Sequence, residues 1–181
     1  MEDIQLLTER MLSTTREVTT VALLTAVGIA LFVIESFIPT PLPFLKIGFA
    51  NISSVVTIMI LGIPEMFVVV ILRVLVGSLL VGSLFSPGFI LALCGGLTSA
   101  CAMAVARAIR PGLFGPVGIS LIGSLTHVAT QFLLVMFLYV QNRGLVSLLP
   151  LLLLSGFAGG IVVGWISARL LIVLRSTRIH P

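Results

Sequence analysis

The stretch Ile63-Pro64-Glu65-Met66-Phe67-Val68-Val69-Val70-Ile71-Leu72-Arg73-Val74-Leu75-Val76-Gly77-Ser78-Leu79-Leu80-Val81-Gly82-Ser83-Leu84-Phe85 decides the fold. From Met66 to Phe85 only Arg73 is charged. Those 20 residues, at ~1.5 Å each, make about 30 Å of helix, the depth of a bilayer's hydrocarbon core. Pro64 suits the first turn of such a helix, where a missing N–H costs nothing, and Ser86-Pro87-Gly88 breaks the run.

Working outward, five more apolar segments appear, at about Thr19 to Ile38, Phe49 to Leu61, Phe89 to Ile109, Val117 to Val140 and Leu148 to Leu174. Pro39-Thr-Pro-Leu-Pro43, Gly62-Ile-Pro64 and Arg110-Pro111-Gly112 punctuate them. The chain of 181 residues is 59% hydrophobic and 9% charged, where soluble domains hold about 25% charged residues. The expected fold is an all-α integral membrane protein, a bundle of six transmembrane helices. Residues 19–174 form one membrane domain, 1–18 a cytoplasmic amphipathic or solvated N-terminal segment, and 175–181 a basic cytoplasmic tail. Helix two, at Phe49 to Leu61, is too short for ~30 Å of hydrocarbon, so it must be tilted, extended or buried in protein.

Charge sets the orientation. An even number of spans puts both termini on one side. With that side cytoplasmic, Arg10, Arg16, Arg107, Arg110, Arg175 and Arg178 lie inside and only Lys46 and Arg143 outside, a positive-inside pattern. The net charge of +4 is then an orientation signal with some affinity for anionic lipid. Nucleic acid is not expected, because the arginines stand in separate loops without interleaved aromatics.

Composition also excludes chemistry. Asp occurs once, at Asp3, so no aspartate pair exists to hold Mg²⁺ on a diphosphate. Lys occurs once, at Lys46, followed by Ile47 rather than Ser or Thr, so there is no Walker A loop. Cys94 and Cys101, seven apart in one helix, are ~10 Å apart along its axis, beyond disulfide reach. With no His, Asp or Glu near them they read as packing residues rather than metal ligands. Ser120 and Ser124 share a helix with His127 and no Gly-x-Ser-Gly is present, which argues against an intramembrane serine protease. No catalytic residue, metal site or cofactor is expected.

Ionisable and polar groups at membrane depth mark pairing, a cavity or function. Arg73 lies nine residues past Pro64, about 13 Å in, near mid-depth. It requires an anion, and Glu35 and Glu65 are the carboxylates near the membrane. Two readings stand open: an ion pair with Glu35, or an anionic ligand facing Arg73. Ser124, His127 and Gln131 form a polar stripe on an otherwise apolar helix, which favours a cavity lining. Asn51 and Tyr139 are weaker candidates. Gly77-Ser78, Gly82-Ser83 and Ser86-Pro87-Gly88 end a helix plainly or offer amide donors as a floor for a polar head group. Small residues recur every fourth position at Ala22, Ala26 and Ala30, at Ala100, Ala104 and Ala108, and at Gly156, Gly160 and Gly164, allowing close helix approach.

Three of these blocks, Leu45-Lys-Ile-Gly-Phe-Ala-Asn51, Leu72-Arg-Val-Leu-Val-Gly-Ser-Leu-Leu-Val-Gly-Ser-Leu-Phe-Ser-Pro87, and His127 with Gln131, resemble the Gx transporter family. That family is also described as heptaprenyl diphosphate synthase component I, and it is similar to the substrate-binding S components of energy-coupling factor (ECF) transporters. The likeness covers about Thr19 to Leu174. It implies a multi-pass protein of a bacterial or archaeal cytoplasmic membrane, with cytoplasmic termini and a ligand pocket open to the outside. It also implies docking through Ala22, Ala26 and Ala30 onto an ECF-type transmembrane coupling protein carrying two ATPase subunits. The expected ligand is a small anionic or amphipathic compound, cofactor- or vitamin-like or related to isoprenoids and quinones. Arg73, His127, Gln131, Asn51, Lys46, Glu35 and Ser86 are the candidate ligand-binding residues. The alternative implied is a non-catalytic accessory component of polyprenyl diphosphate or menaquinone biosynthesis.

Overall fold

A computed structural model describes residues 2–38, 48–110, 112–140 and 143–176. Among these the regular secondary structure is all helical: α1 (Glu2–Ser36), α2 (Asn51–Ile60), α3 (Ile63–Leu80), α4 (Pro87–Ile109), α5 (Pro116–Leu134) and α6 (Leu149–Ser176). A π-helical turn (Val135–Val140) prolongs α5 and a 3-10 segment (Arg143–Leu148) leads into α6. Five of the helices are long and apolar enough to cross a membrane, which makes this a multi-pass membrane protein. Of the six helices expected, five are of this kind and the second, α2, is short, as its sequence indicates. At the N-terminus α1 starts at Glu2 and runs on without a break at residue 18.

The short helix explains the architecture. Ten residues make about 15 Å, half a bilayer. Asn51 through Ile58 are all buried, and α1, α3, α4, α5 and α6 all touch α2. Of the three ways to accommodate so short a helix, burial in protein is therefore the one realised, since ends packed among other helices do not need to reach water. The long helices follow one another around α2 in the order α1, α3, α4, α5, α6. Gly62, at φ 146°, makes the tight reversal from α2 to α3, with the Leu61 and Gly62 amides both donating to the Thr57 carbonyl.

The inside-out distribution of side chains fits lipid. Leu79, Leu80, Phe137, Leu154, Trp165 and Ile172 are exposed, whereas Arg73, Glu35, Gln131 and many serines are buried. Between them lies a core of Val55, Val56, Met66, Val69, Met103, Ile119 and Val163. The small-residue stripes divide as to what they face. On α6, Gly156, Gly160 and Gly164 lie against Val128, Ser124, Leu121, Ser120 and Val117 of α5, so that stripe is internal packing. On α4, Ala100 is buried and Ala108 exposed. On α1, Ala22, Ala26 and Ala30 are all exposed.

Helix α3 stops at Leu80, about one turn before the sequence-based limit of Phe85. The Ser83 amide donates to the Ser78 carbonyl and the Gly82 amide to the Leu79 carbonyl, with Gly82 at φ 67°, the hydrogen-bond signature of a Schellman cap. A Cβ at Gly82 meets nothing within 4 Å, so Gly82→Ala is expected to cost only the left-handed backbone strain, about 1 kcal/mol. A thermal melt in detergent should show a shift of a few degrees with an unchanged elution profile.

Candidate functional site

The polar groups of four helices meet at one partly open cavity. It is lined by Phe32 and Glu35 of α1, Gly48 and Ala50 before α2, Asn51 of α2, Arg73 and Val74 of α3, Ala92 of α4 and His127 of α5. Its free interior is about 10 Å³, the room of a single water.

Arg73 reaches it because α1 and α3 lie close together. A Cβ on Gly28 would stand 2.6 Å from Ser53 Oγ and 3.4 Å from Arg73 Cβ, and one on Gly77 would strike the Phe32 ring at 2.5 Å. Glycines at these crossings let the three backbones approach and hold the guanidinium inside, where Arg73 is 2% exposed. Its Nη2 donates to Asn51 Oδ1 at 2.6 Å, while Nε and Nη1 have no hydrogen-bond partner. Glu35, 3% exposed, accepts a hydrogen bond at Oε1 from the Gly48 amide. Its charge acts on Arg73 across the cavity without a hydrogen bond between the two side chains. Of the two sequence-based readings of Arg73, the direct ion pair with Glu35 is not formed: the carboxylate is present, and it is bonded elsewhere.

On the other wall, α5 brings His127 and Gln131, one turn apart, against α4. A Cβ on Gly95 would lie 3.0 Å from His127 Cε1 and Nδ1 and 3.2 Å from Gln131 Cγ, and one on Gly96 would lie 3.9 Å from Arg73 Nη2. The pair Gly95-Gly96 therefore shapes the surface that both polar groups rest on. Gln131 is fully buried, with neither its amide nitrogen nor its amide oxygen hydrogen-bonded. An unsatisfied buried amide is costly unless something supplies its partners.

Glu35, Asn51, Arg73 and His127 are thus brought to the cavity and Gln131 stands beside it. Ser86 is not a lining residue: its Oγ accepts from the Phe89 amide at 3.3 Å as the N-cap of α4. The amides of Gly82, Ser83 and Ser86 are taken up within the turn itself, which accounts for this segment as a helix junction. Ser124 faces Gly156 and Gly160 of α6. Lys46 lies outside the described residues. Sequence reasoning missed Gly95 and Gly96, although a Gly-Gly pair inside an apolar helix is a sign of close approach.

No match was found among curated proteins or among solved structures. A family model described as heptaprenyl diphosphate synthase component I matches residues 24–170, from the middle of α1 to the last turns of α6, and so includes every cavity-lining residue. The chain belongs to the heptaprenyl diphosphate synthase component I family.

Proposed function

We propose that this chain is a membrane-embedded substrate-binding subunit, S-component-like, for uptake of a small anionic or amphipathic compound. The observation that carries the reading is Arg73, a buried guanidinium with two idle donors at the wall of a partly open cavity. Burying such a charge is expensive, and a ligand anion supplies the missing partner. With cytoplasmic termini, as the positive-inside pattern supports, the cavity lies in the outer half of a bacterial or archaeal cytoplasmic membrane. The chain itself performs no catalysis. Separate ATPase and coupling subunits would drive release inward. Ala22, Ala26 and Ala30, exposed along α1, are the face through which the coupling subunit docks.

The family description favours a second reading, an accessory membrane component of polyprenyl diphosphate or menaquinone synthesis. Affinity purification from native membranes separates the two. ATPase and coupling subunits in the eluate support uptake, and a soluble prenyl synthase supports the accessory role. Ala26→Trp is expected to abolish recovery of the coupling subunit while leaving ligand binding within about twofold, since the site faces lipid and the cavity is elsewhere. Full recovery of partners by this variant would remove α1 as the docking face.

A further inference from the structure

Two buried, opposite charges line the same partly open cavity, and each is held by a neutral partner instead of by the other. Asn51 Oδ1 fixes Arg73 through Nη2, and the Gly48 amide fixes Glu35 through Oε1. Arg73 is further backed by α4 at Gly96. In a medium of low dielectric, a guanidinium and a carboxylate on one cavity gain most by direct contact, and buried charges left apart carry a desolvation cost. Positions that resist that collapse suit a molecule placed between them.

Resting on the binding role proposed above, we infer that the ligand's head group bridges Arg73 and Glu35, presenting an anionic oxygen to the guanidinium and an N–H or O–H donor to the carboxylate. The ligand class is therefore an acid with a donor a few atoms away, such as an amino acid or hydroxy acid head on an apolar body. A multiply charged anion without a donor, such as a phosphate monoester or a diphosphate, is disfavoured because Glu35 repels it. This also separates the two functional readings, because a polyprenyl diphosphate is an anion of the disfavoured kind.

The test is calorimetric titration of the full chain in nanodiscs with four probes sharing one apolar body: phenylalanine, 3-phenyllactate, 3-phenylpropionate and phenyl phosphate. Wild type is expected to bind the first two at least about tenfold tighter than the last two. Glu35→Gln keeps an acceptor for the Gly48 amide and loses the charge. It should bring the four probes to within about threefold of one another and strengthen phenyl phosphate, whereas Glu35→Asp should keep the wild-type ranking. Phenyl phosphate binding tightest to wild type, or a ranking that Glu35→Gln leaves unchanged, overturns the bridge. If Arg73→Ala still weakens phenyl phosphate in that case, the binding role survives. No binding of any probe overturns both.

Discussion

Replacing Arg73 with Ala is expected to strip the purified protein of its bound small molecule, with affinity falling by roughly a hundredfold or more. The magnitude follows from the site. Removing one side of a buried, hydrogen-bonded charge contact costs about 2–5 kcal/mol, and each ~1.4 kcal/mol is a tenfold change. Arg73 is 2% exposed and offers Nε and Nη1 to a ligand, so little water competes for it. Arg73→Lys keeps the charge and loses the planar fork, and it should retain binding at an intermediate level. Native mass spectrometry of protein released from nanodiscs reads the ligand-loaded fraction, and the elution profile reads folding. Removing the guanidinium also leaves Glu35 without its countercharge, so a lower melting temperature is expected as well. A variant with lowered melting temperature and near-normal loading would assign Arg73 to holding α2 and α3 together through Asn51.

Legibility of the site follows the range of the interaction. Arg73 stood out because the single charge in a 20-residue membrane-length run has few structural uses, and His127 with Gln131 because one helical turn puts them on one face. Helix α2 was recognisable as too short to span. What the sequence could not give was the pairing. The Arg73 bond to Asn51 joins residues 22 apart, and the Glu35 bond to Gly48 joins residues 13 apart. Both depend on the register of α1 against α2 and α3, which Gly28 and Gly77 set by where they admit Ser53 and Phe32. Ser86 shows the converse case. A hydroxyl beside a Ser-Pro-Gly break invites a ligand role, and here its oxygen caps α4.

The largest loss of stability is expected from Gly164→Leu. A Cβ at this position would stand 2.5 Å from Val117 Cα, 3.1 Å from Ser120 Cβ and 3.2 Å from Val117 Cβ. The first of these is backbone, so no rotamer change relieves it; α5 and α6 must move apart. In lipid, helix association rests on close packing, because the tails are as apolar as the side chains and add no hydrophobic drive. Overpacking a core costs about 1–3 kcal/mol when neighbours can shift, and more when they cannot. A branched side chain here would also lift the neighbouring contacts of Gly160 with Leu121 and of Gly156 with Val128. Separation of α5 from α6 reaches the cavity through His127, so ligand loading should fall together with stability. Gly164→Leu is thus expected to elute as aggregate in fluorescence-detected size exclusion, and Gly164→Ala as a monodisperse peak with a lowered melting temperature. Gly82→Ala provides the contrast: its Cβ meets nothing within 4 Å, so a comparable loss there would have to come from the backbone alone. A monodisperse Gly164→Leu protein with wild-type melting would mean that the α5–α6 spacing is set elsewhere than along the glycine face.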